Sequence, residues 1–352
     1  MQDPARRIPR LLFWALVAAL LLLAPTFWLL AAPEAPAIQG RWLLDFEKDG
    51  SVQLTLERRG PGRHENSSDT HEMKEFRGLE RPQAAADAPA HFELVRDAGT
   101  IAFDGRLDRS GGAGSFAFSA SPDFVAGVAR LGYSGLKGEQ LYAMALHDVS
   151  RAFLSELADL GYERVALDDL ISMRIHGADP EFVKDLQGLG YRRLSVDELV
   201  SMRIHGATSG FVRELQSLGY AGLSAEDLVS LRIHGATPEF VRQLGAAGYD
   251  RVPADDLVAM RIHGVSPEFI REMKPLVSGP LSVDDLVAMR IHGVTPDFAR
   301  GLKSAGYDRV SADDLVALRI HGVTVEFARQ VKGRDPDASP DDLVSLRIHG
   351  RG

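Results

Sequence analysis

Residues 294–322 read VTPDFARGLKSAGYDRVSADDLVALRIHG, and close copies of this stretch fill most of the C-terminal part of the chain. Its last four residues, Arg-Ile-His-Gly, occur seven times, at intervals of 29 residues five times and then once of 28. One further step back along the chain reaches a degenerate copy that keeps His147. Self-similarity at a fixed period of this size is typical of stacked repeats. We therefore predict eight repeat units over residues 120–350.

Each unit is predicted to contain two short helices. Thr295 and Pro296 form a helix start, with a hydroxyl cap before proline at the first helical position, and Gly306 ends that helix. Ser311 opens the second helix and Gly322 ends it. Helices of about ten residues are not stable alone, so the units must stack, and we predict an all-α solenoid. The positions predicted to be apolar and buried are Phe298, Leu302, Ala305, Leu315, Val316, Leu318 and Ile320.

The N-terminus sets the compartment. Residues 11–32 carry no charge and are long enough to cross a bilayer, which takes about 20 apolar residues. Arginines in the stub 1–10 orient that stub to the cytoplasm. This predicts a single-pass protein of the bacterial inner membrane, with the C-terminal region in the periplasm. A cleaved secretory signal is the alternative, since Ala35-Pro36-Ala37 has cleavage-type spacing and Pro25 shortens the apolar run; the remainder is then secreted.

Residues 38–119 are predicted to form a small antiparallel β domain. Asp49-Gly50 is a two-residue hairpin turn between two alternating segments. The stretch from 58 to 90 is polar and rich in proline and alanine, which predicts a long loop. The predicted strands are 42–46, 52–56, 92–95, 100–103 and 115–118.

The composition excludes several kinds of chemistry. The 352 residues are 45% apolar, which is enough for sizeable cores. With 49 acidic and 40 basic residues the net charge is −9, which argues against a nucleic-acid partner. Cysteine is absent, so disulfides, thiolate metal sites and a cysteine nucleophile are impossible.

The recurring histidines admit three interpretations. The first is structural, because a histidine in the last helical turn can hydrogen-bond the terminal carbonyls. The second is a row of histidines that responds to pH. The third is metal binding, which geometry opposes because equivalent positions lie about 8–10 Å apart in stacked helices. These histidines are His176, His205, His234, His263, His292, His321 and His349.

The arginine two residues before each histidine falls within the predicted apolar arc and needs a partner there. We predict ion pairs between units, with the carboxylates that open the second helices, such as Asp284-Asp285 or Asp313-Asp314. An anion-binding groove is the alternative. The arginines are Arg174, Arg203, Arg232, Arg261, Arg290, Arg319 and Arg347.

Enzyme signatures are absent. His71-Glu72-Met73-Lys74-Glu75 lacks the second histidine of a zincin motif. Paired carboxylates such as Asp168-Asp169 are adjacent, so they diverge around a helix rather than face each other. The expectation is a non-catalytic protein with no cofactor, no metal and no small-molecule substrate. Solenoids typically bind proteins or peptides, and the loop after each Gly-Tyr varies between units. The candidate interaction residues in these loops are Arg192, Arg193, Asp250, Arg251, Asp308 and Arg309.

The segments 116–124, 144–149 and 294–298 resemble the repeat-bearing extracytoplasmic regions of certain bacterial membrane proteins. Some of those regions are appended to membrane metallopeptidases of the beta-lactam-sensor class. The similarity covers residues 38–350, whereas the peptidase and its zinc motif have no counterpart here. The resemblance implies a protein-interaction scaffold or sensor module in the envelope. A structural spacer or a cell-envelope binder close to peptidoglycan is the alternative.

Overall fold

The structure is a computed structural model that describes residues 38–60, 63–83 and 87–350. Contacts divide the chain into two compact units, one ending at Arg151 and the other beginning at Ala152. The predicted stub at 1–10 and the predicted anchor at 11–32 lie outside the described residues. Within the described ranges, no helix is both long and apolar enough to cross a membrane.

The first unit contains a curled, seven-stranded antiparallel half-barrel. The strand order is β3-β2-β1-β7-β6-β5-β4, so the first and last strands in sequence, β1 and β7, are neighbours. The strands are β1 Ile38–Phe46, β2 Ser51–Gly60, β3 Arg63–Glu72, β4 Phe76–Arg77, β5 Ala88–Arg96, β6 Gly99–Leu107 and β7 Gly111–Ala120.

Most of the sheet follows the sequence prediction. The hairpin predicted around Asp49-Gly50 is confirmed, with Gly50 at a φ of 91°. The two-residue turn is wrong, because Phe46 pairs with Val52 and Glu47 donates to the backbone oxygen of Ser51 at 2.9 Å, which leaves the three residues 48–50 in the turn. The long loop predicted between 58 and 90 is wrong, because β3 and β4 lie within it. β3 reads RHENSSDTHE and is an edge strand that pairs along its whole length with β2. Its alternation of apolar residues is missing because backbone pairing, rather than burial of a side-chain face, holds it in place.

The core of the first unit is aromatic. Trp42 is fully buried and its Nε1 donates to the backbone oxygens of Asp104 at 3.2 Å and Ser115 at 3.1 Å. A Cβ at Gly114 would lie 2.7 Å from that nitrogen, so only glycine fits beside the indole. Tyr142, from the degenerate copy at 120–148, stacks on Phe116 at 5.9 Å between ring centroids. The degenerate copy therefore packs on the sheet.

The degenerate copy forms the first two of 16 helices in the described residues. These two helices, which belong to the first unit, are α1 Pro122–Arg130 and α2 Gly138–Leu146. The following helices are α3 Arg151–Asp159, α4 Leu167–His176, α5 Pro180–Gly188, α6 Val196–Ile204, α7 Ser209–Ser217, α8 Ala225–Ile233, α9 Pro238–Ala246, α10 Ala254–Ile262, α11 Pro267–Met273, α12 Val283–Ile291, α13 Pro296–Ser304, α14 Ala312–Ile320, α15 Val325–Arg334 and α16 Pro340–His349.

Within the second unit, corresponding helices of successive repeats contact each other. The first helices of the repeats, from α5 to α15, pack as one series, and the second helices, from α4 to α16, pack as another. The predicted caps are confirmed: Thr295 accepts from the amide of Phe298 at 3.2 Å, and Ser311 from the amide of Asp314 at 3.1 Å. Gly322 ends α14 with a φ of 67°.

One predicted core position is wrong. Leu315 and Leu318 are fully buried, but Ile320 is 55% exposed. Ile320 follows Leu318 by two residues, and a step of two turns a helical side chain far around the axis. The buried arc of the second helix is therefore narrower than the sequence indicated.

Candidate interaction surfaces

Each signature arginine lies over the phenylalanine of the first helix in its own repeat. The guanidinium carbon of Arg261 is 5.0 Å from the ring centroid of Phe240, which is buried. A cation over an aromatic face at this range is attracted by the ring quadrupole. The same pair forms seven times, at 5.0 to 5.6 Å: Arg174 with Phe153, Arg203 with Phe182, Arg232 with Phe211, Arg261 with Phe240, Arg290 with Phe269, Arg319 with Phe298 and Arg347 with Phe327.

The same arginine reaches the end of the second helix in the preceding repeat. The Nε of Arg290 lies 3.4 Å from the backbone oxygen of His263. Its Nη2 packs beside Gly264, at 3.1 Å from the place that a Cβ would take there. A cation is favoured there because helix C-termini carry partial negative charge. The arginine thus links its own first helix to the previous repeat.

The predicted ion pairs between units are wrong for six of the signature arginines. None of these six lies within 4.0 Å of a carboxylate in the part of the chain that the structure describes. The aromatic ring and the preceding helix end take the place of the carboxylates. The six are Arg203, Arg232, Arg261, Arg290, Arg319 and Arg347.

The signature histidines point into solvent. All seven are exposed, and over residues 38–60, 63–83 and 87–350 none of their side chains forms a hydrogen bond. The predicted side-chain cap is therefore not formed. In five repeats, from His205 to His321, the histidine instead takes the C-cap position through its backbone. The described residues contain no group of three metal-binding side chains.

Tyrosines join successive repeats through hydrogen bonds. The hydroxyl of Tyr220, just after α7, donates to the backbone oxygen of Val252, in the loop before α10, at 2.8 Å. Tyr162 and Tyr249 make the same bond across 32 residues at 2.7 and 2.9 Å. The hydroxyl of Tyr191 is buried with no hydrogen-bond partner in the described chain. Burial raises the pKa of all four phenols.

Two of the predicted loop residues line a groove between repeats. Asp250 and Arg251 border a cavity of about 560 Å³ with Tyr220, Tyr249 and Arg242. Arg242 is about half exposed and lies 3.1 Å from Glu239 and 3.7 Å from Glu214. Tyrosine and arginine are the residue types that most often dominate protein-binding surfaces. This groove is the strongest match between a predicted interaction loop and a concave surface.

The remaining predicted loop residues lie at other repeats. Arg192 and Arg193 precede α6, and Asp308 and Arg309 precede α14; all four are exposed. None of them borders the groove at Asp250. Of the three predicted pairs of loop residues, only Asp250 and Arg251 therefore lie at this groove.

A second, polar cavity lies on the sheet. Its volume is about 520 Å³, and Arg41, Glu57 and Arg58 line it. Arg58 is mostly buried; it pairs with Glu65, and with Glu139 at 2.7 Å. Its guanidinium is therefore already neutralised within the fold.

The sequence interpretation missed one set of exposed residues. The isoleucine of every Arg-Ile-His-Gly copy is more than half exposed, at 52 to 56%. The signal was present in the sequence, since this isoleucine follows the arginine in all seven copies. Of the seven, only Ile320 is predicted to be buried, on hydrophobicity alone.

No protein-family model matches this chain, and no curated protein matches it either.

Proposed function

We propose that this chain is a non-catalytic protein of the bacterial envelope whose helical repeats form an α-solenoid and act as a protein-interaction scaffold or sensor module. It is held in the inner membrane by residues 11–32, with its N-terminus in the cytoplasm and the repeats in the periplasm. The resemblance to repeat-bearing extracytoplasmic regions supports the same assignment.

The groove at Asp250 and Arg251 carries this proposal. It lies between the loops of consecutive repeats, so a single ligand there contacts both Tyr220 and Tyr249. Its volume falls in the range of about 300–1,000 Å³ that is typical of ligand sites. Its rim combines the rings of Tyr220 and Tyr249 with the exposed Arg251 and Asp250, which suits a peptide segment that carries an acidic side chain beside apolar ones. A protein or peptide is therefore the proposed partner.

A capture experiment tests this function. Full-length chain is used as bait in envelope extracts, beside the variant Arg251→Glu and the matched control Arg309→Glu, which changes an exposed loop arginine away from the groove. We expect one protein to be retained in stoichiometric amount by the wild type and by Arg309→Glu, and to be lost with Arg251→Glu. Retention of all three on purified cell wall, without a protein, supports the cell-envelope binder instead.

A further inference from the structure

The second helices present a row of isoleucines that stay exposed in the part of the chain that the structure describes. Each lies directly after a signature arginine and is 52 to 56% exposed. At on the order of 100 Å² each, these seven side chains together expose roughly 700 Å² of apolar area, distributed over seven repeats. They are Ile175, Ile204, Ile233, Ile262, Ile291, Ile320 and Ile348.

The isoleucines belong to a wider face with a regular arrangement of charge. Ile262 shares one side of α10 with Asp255, because seven residues make nearly two helical turns. Val258 and Ala259 lie between them and are half-buried. The same positions recur in the second helix of each repeat, and we call the resulting surface the isoleucine face. Its exposed acidic row is Asp168, Asp197, Glu226, Asp255, Asp284, Asp313 and Asp341.

The two edges of the isoleucine face carry opposite charge. The acidic row lies at the N-terminal ends of the second helices. The isoleucine row lies at their C-terminal ends, between the signature arginines and the exposed histidines. Complementary charge across an interface sets which surfaces meet and in what register. A surface of this kind is complementary to a second copy of itself that is rotated so that the acidic edge of each copy faces the basic edge of the other.

We propose that the isoleucine face binds a second copy of this chain, repeat against the same repeat, with both chains running in the same direction. The two-fold axis runs along the series of repeats, which sets the acidic row of one copy against the arginine and histidine row of the other. An axis along the helices instead sets acidic row on acidic row. A second copy also supplies the same spacing in every repeat, and roughly 700 Å² approaches the ~800 Å² that each partner buries in a standard interface.

Single cysteines test the proposal, because the chain has none of its own. Residues midway along the second helices lie on the axis and meet their own copies. The variants Ser201→Cys, Ala259→Cys and Ala317→Cys place one cysteine at this position in three different repeats. Full-length chains in bacterial membranes are oxidised and separated on non-reducing gels. We expect all three to form a covalent dimer.

Antiparallel chains give a different pattern. Of the seven second helices, α10 is the fourth, so only Ala259→Cys meets its own copy in that arrangement. A dimer with Ala259→Cys alone therefore overturns the proposal. Absence of crosslinking in all three variants overturns it too, as does an adduct whose mass identifies a different protein.

Second substitutions assign the contact to the isoleucine face. Adding Ile262→Asp to Ala317→Cys should reduce the dimer at least several-fold, whereas Val125→Asp, at an exposed apolar residue of α1, should not. Circular dichroism checks that both variants keep their helical content. Equal loss with both variants overturns the assignment. Arg251→Glu should leave the crosslink intact, so the dimer and the proposed peptide groove can fail separately.

Discussion

Removing the ring beneath one signature arginine should reveal a measurable coupling between the two helices of a repeat. We chose Arg290, which lies 5.0 Å from the ring of Phe269 and reaches the backbone oxygen of His263 at 3.4 Å. A partly exposed cation over an aromatic ring contributes about 0.5–1 kcal/mol. Interaction with a helix C-terminus adds about 0.3–1 kcal/mol. The variant Arg290→Ala should therefore lower the free energy of unfolding by about 1–2 kcal/mol.

A double-mutant cycle separates the ring from the other contacts. Arg290→Ala and Phe269→Leu are measured singly and together by urea unfolding, followed by helical circular dichroism. The expected coupling is about 0.5–1 kcal/mol. A parallel cycle with Asp313→Asn should give a coupling close to zero, because Arg290 forms no ion pair with that carboxylate. A near-zero coupling to Phe269, or an equal coupling to Asp313, refutes the assignment of the arginine to the ring.

Three further predictions use matched pairs or pH. Gly235→Ala should cost about 1–2 kcal/mol because Gly235 has a φ of 70°, whereas Gly188→Ala, with open space at its Cβ, should be neutral or stabilising in the same thermal melts. Tyr220→Phe should lose about 0.5–1.5 kcal/mol with its hydrogen bond, and Tyr191→Phe should lose nothing by urea unfolding; equal losses contradict the assignment. Burial raises the pKa of Tyr142 from 10.0 to about 12, so the wild type should lose stability relative to Tyr142→Phe as the pH rises from 10 to about 12. Urea unfolding of both proteins across this range measures the loss, and a constant difference in stability contradicts the prediction.

The repeats could be predicted because local signals repeat in each unit. Hydroxyl caps such as Thr295 and glycine stops such as Gly322 act over one helical turn, so the sequence alone locates the helix ends. β3 was missed because backbone pairing with β2 leaves no alternation of apolar residues to detect. The sequence therefore shows elements that are stabilised by contacts between residues close together in the chain, and it does not show an element that is held in place by pairing with another strand.

The candidate surfaces depended on contacts between elements, which the sequence shows less directly. The loop of Asp250 and Arg251 was predicted because its residues vary between repeats. The aromatic partner of Arg261 was not predicted, because Phe240 lies 21 residues earlier and becomes a neighbour of the arginine only when the two helices pack. Ile320 was predicted to lie in the core because hydrophobicity alone does not show that a residue lies outside the narrow buried arc of its helix.

Regular stacking of the repeats is the central claim, and distances between spin labels test it most directly. Because the chain lacks cysteine, labels can be placed in pairs at Glu181, Glu239 and Asp297, which are exposed equivalent positions in the first turns of α5, α9 and α13. At about 8–10 Å per repeat, pulsed electron paramagnetic resonance should give roughly 16–20 Å for Glu181 with Glu239 and about twice that for Glu181 with Asp297. A four-repeat distance no longer than the two-repeat distance contradicts the stacking.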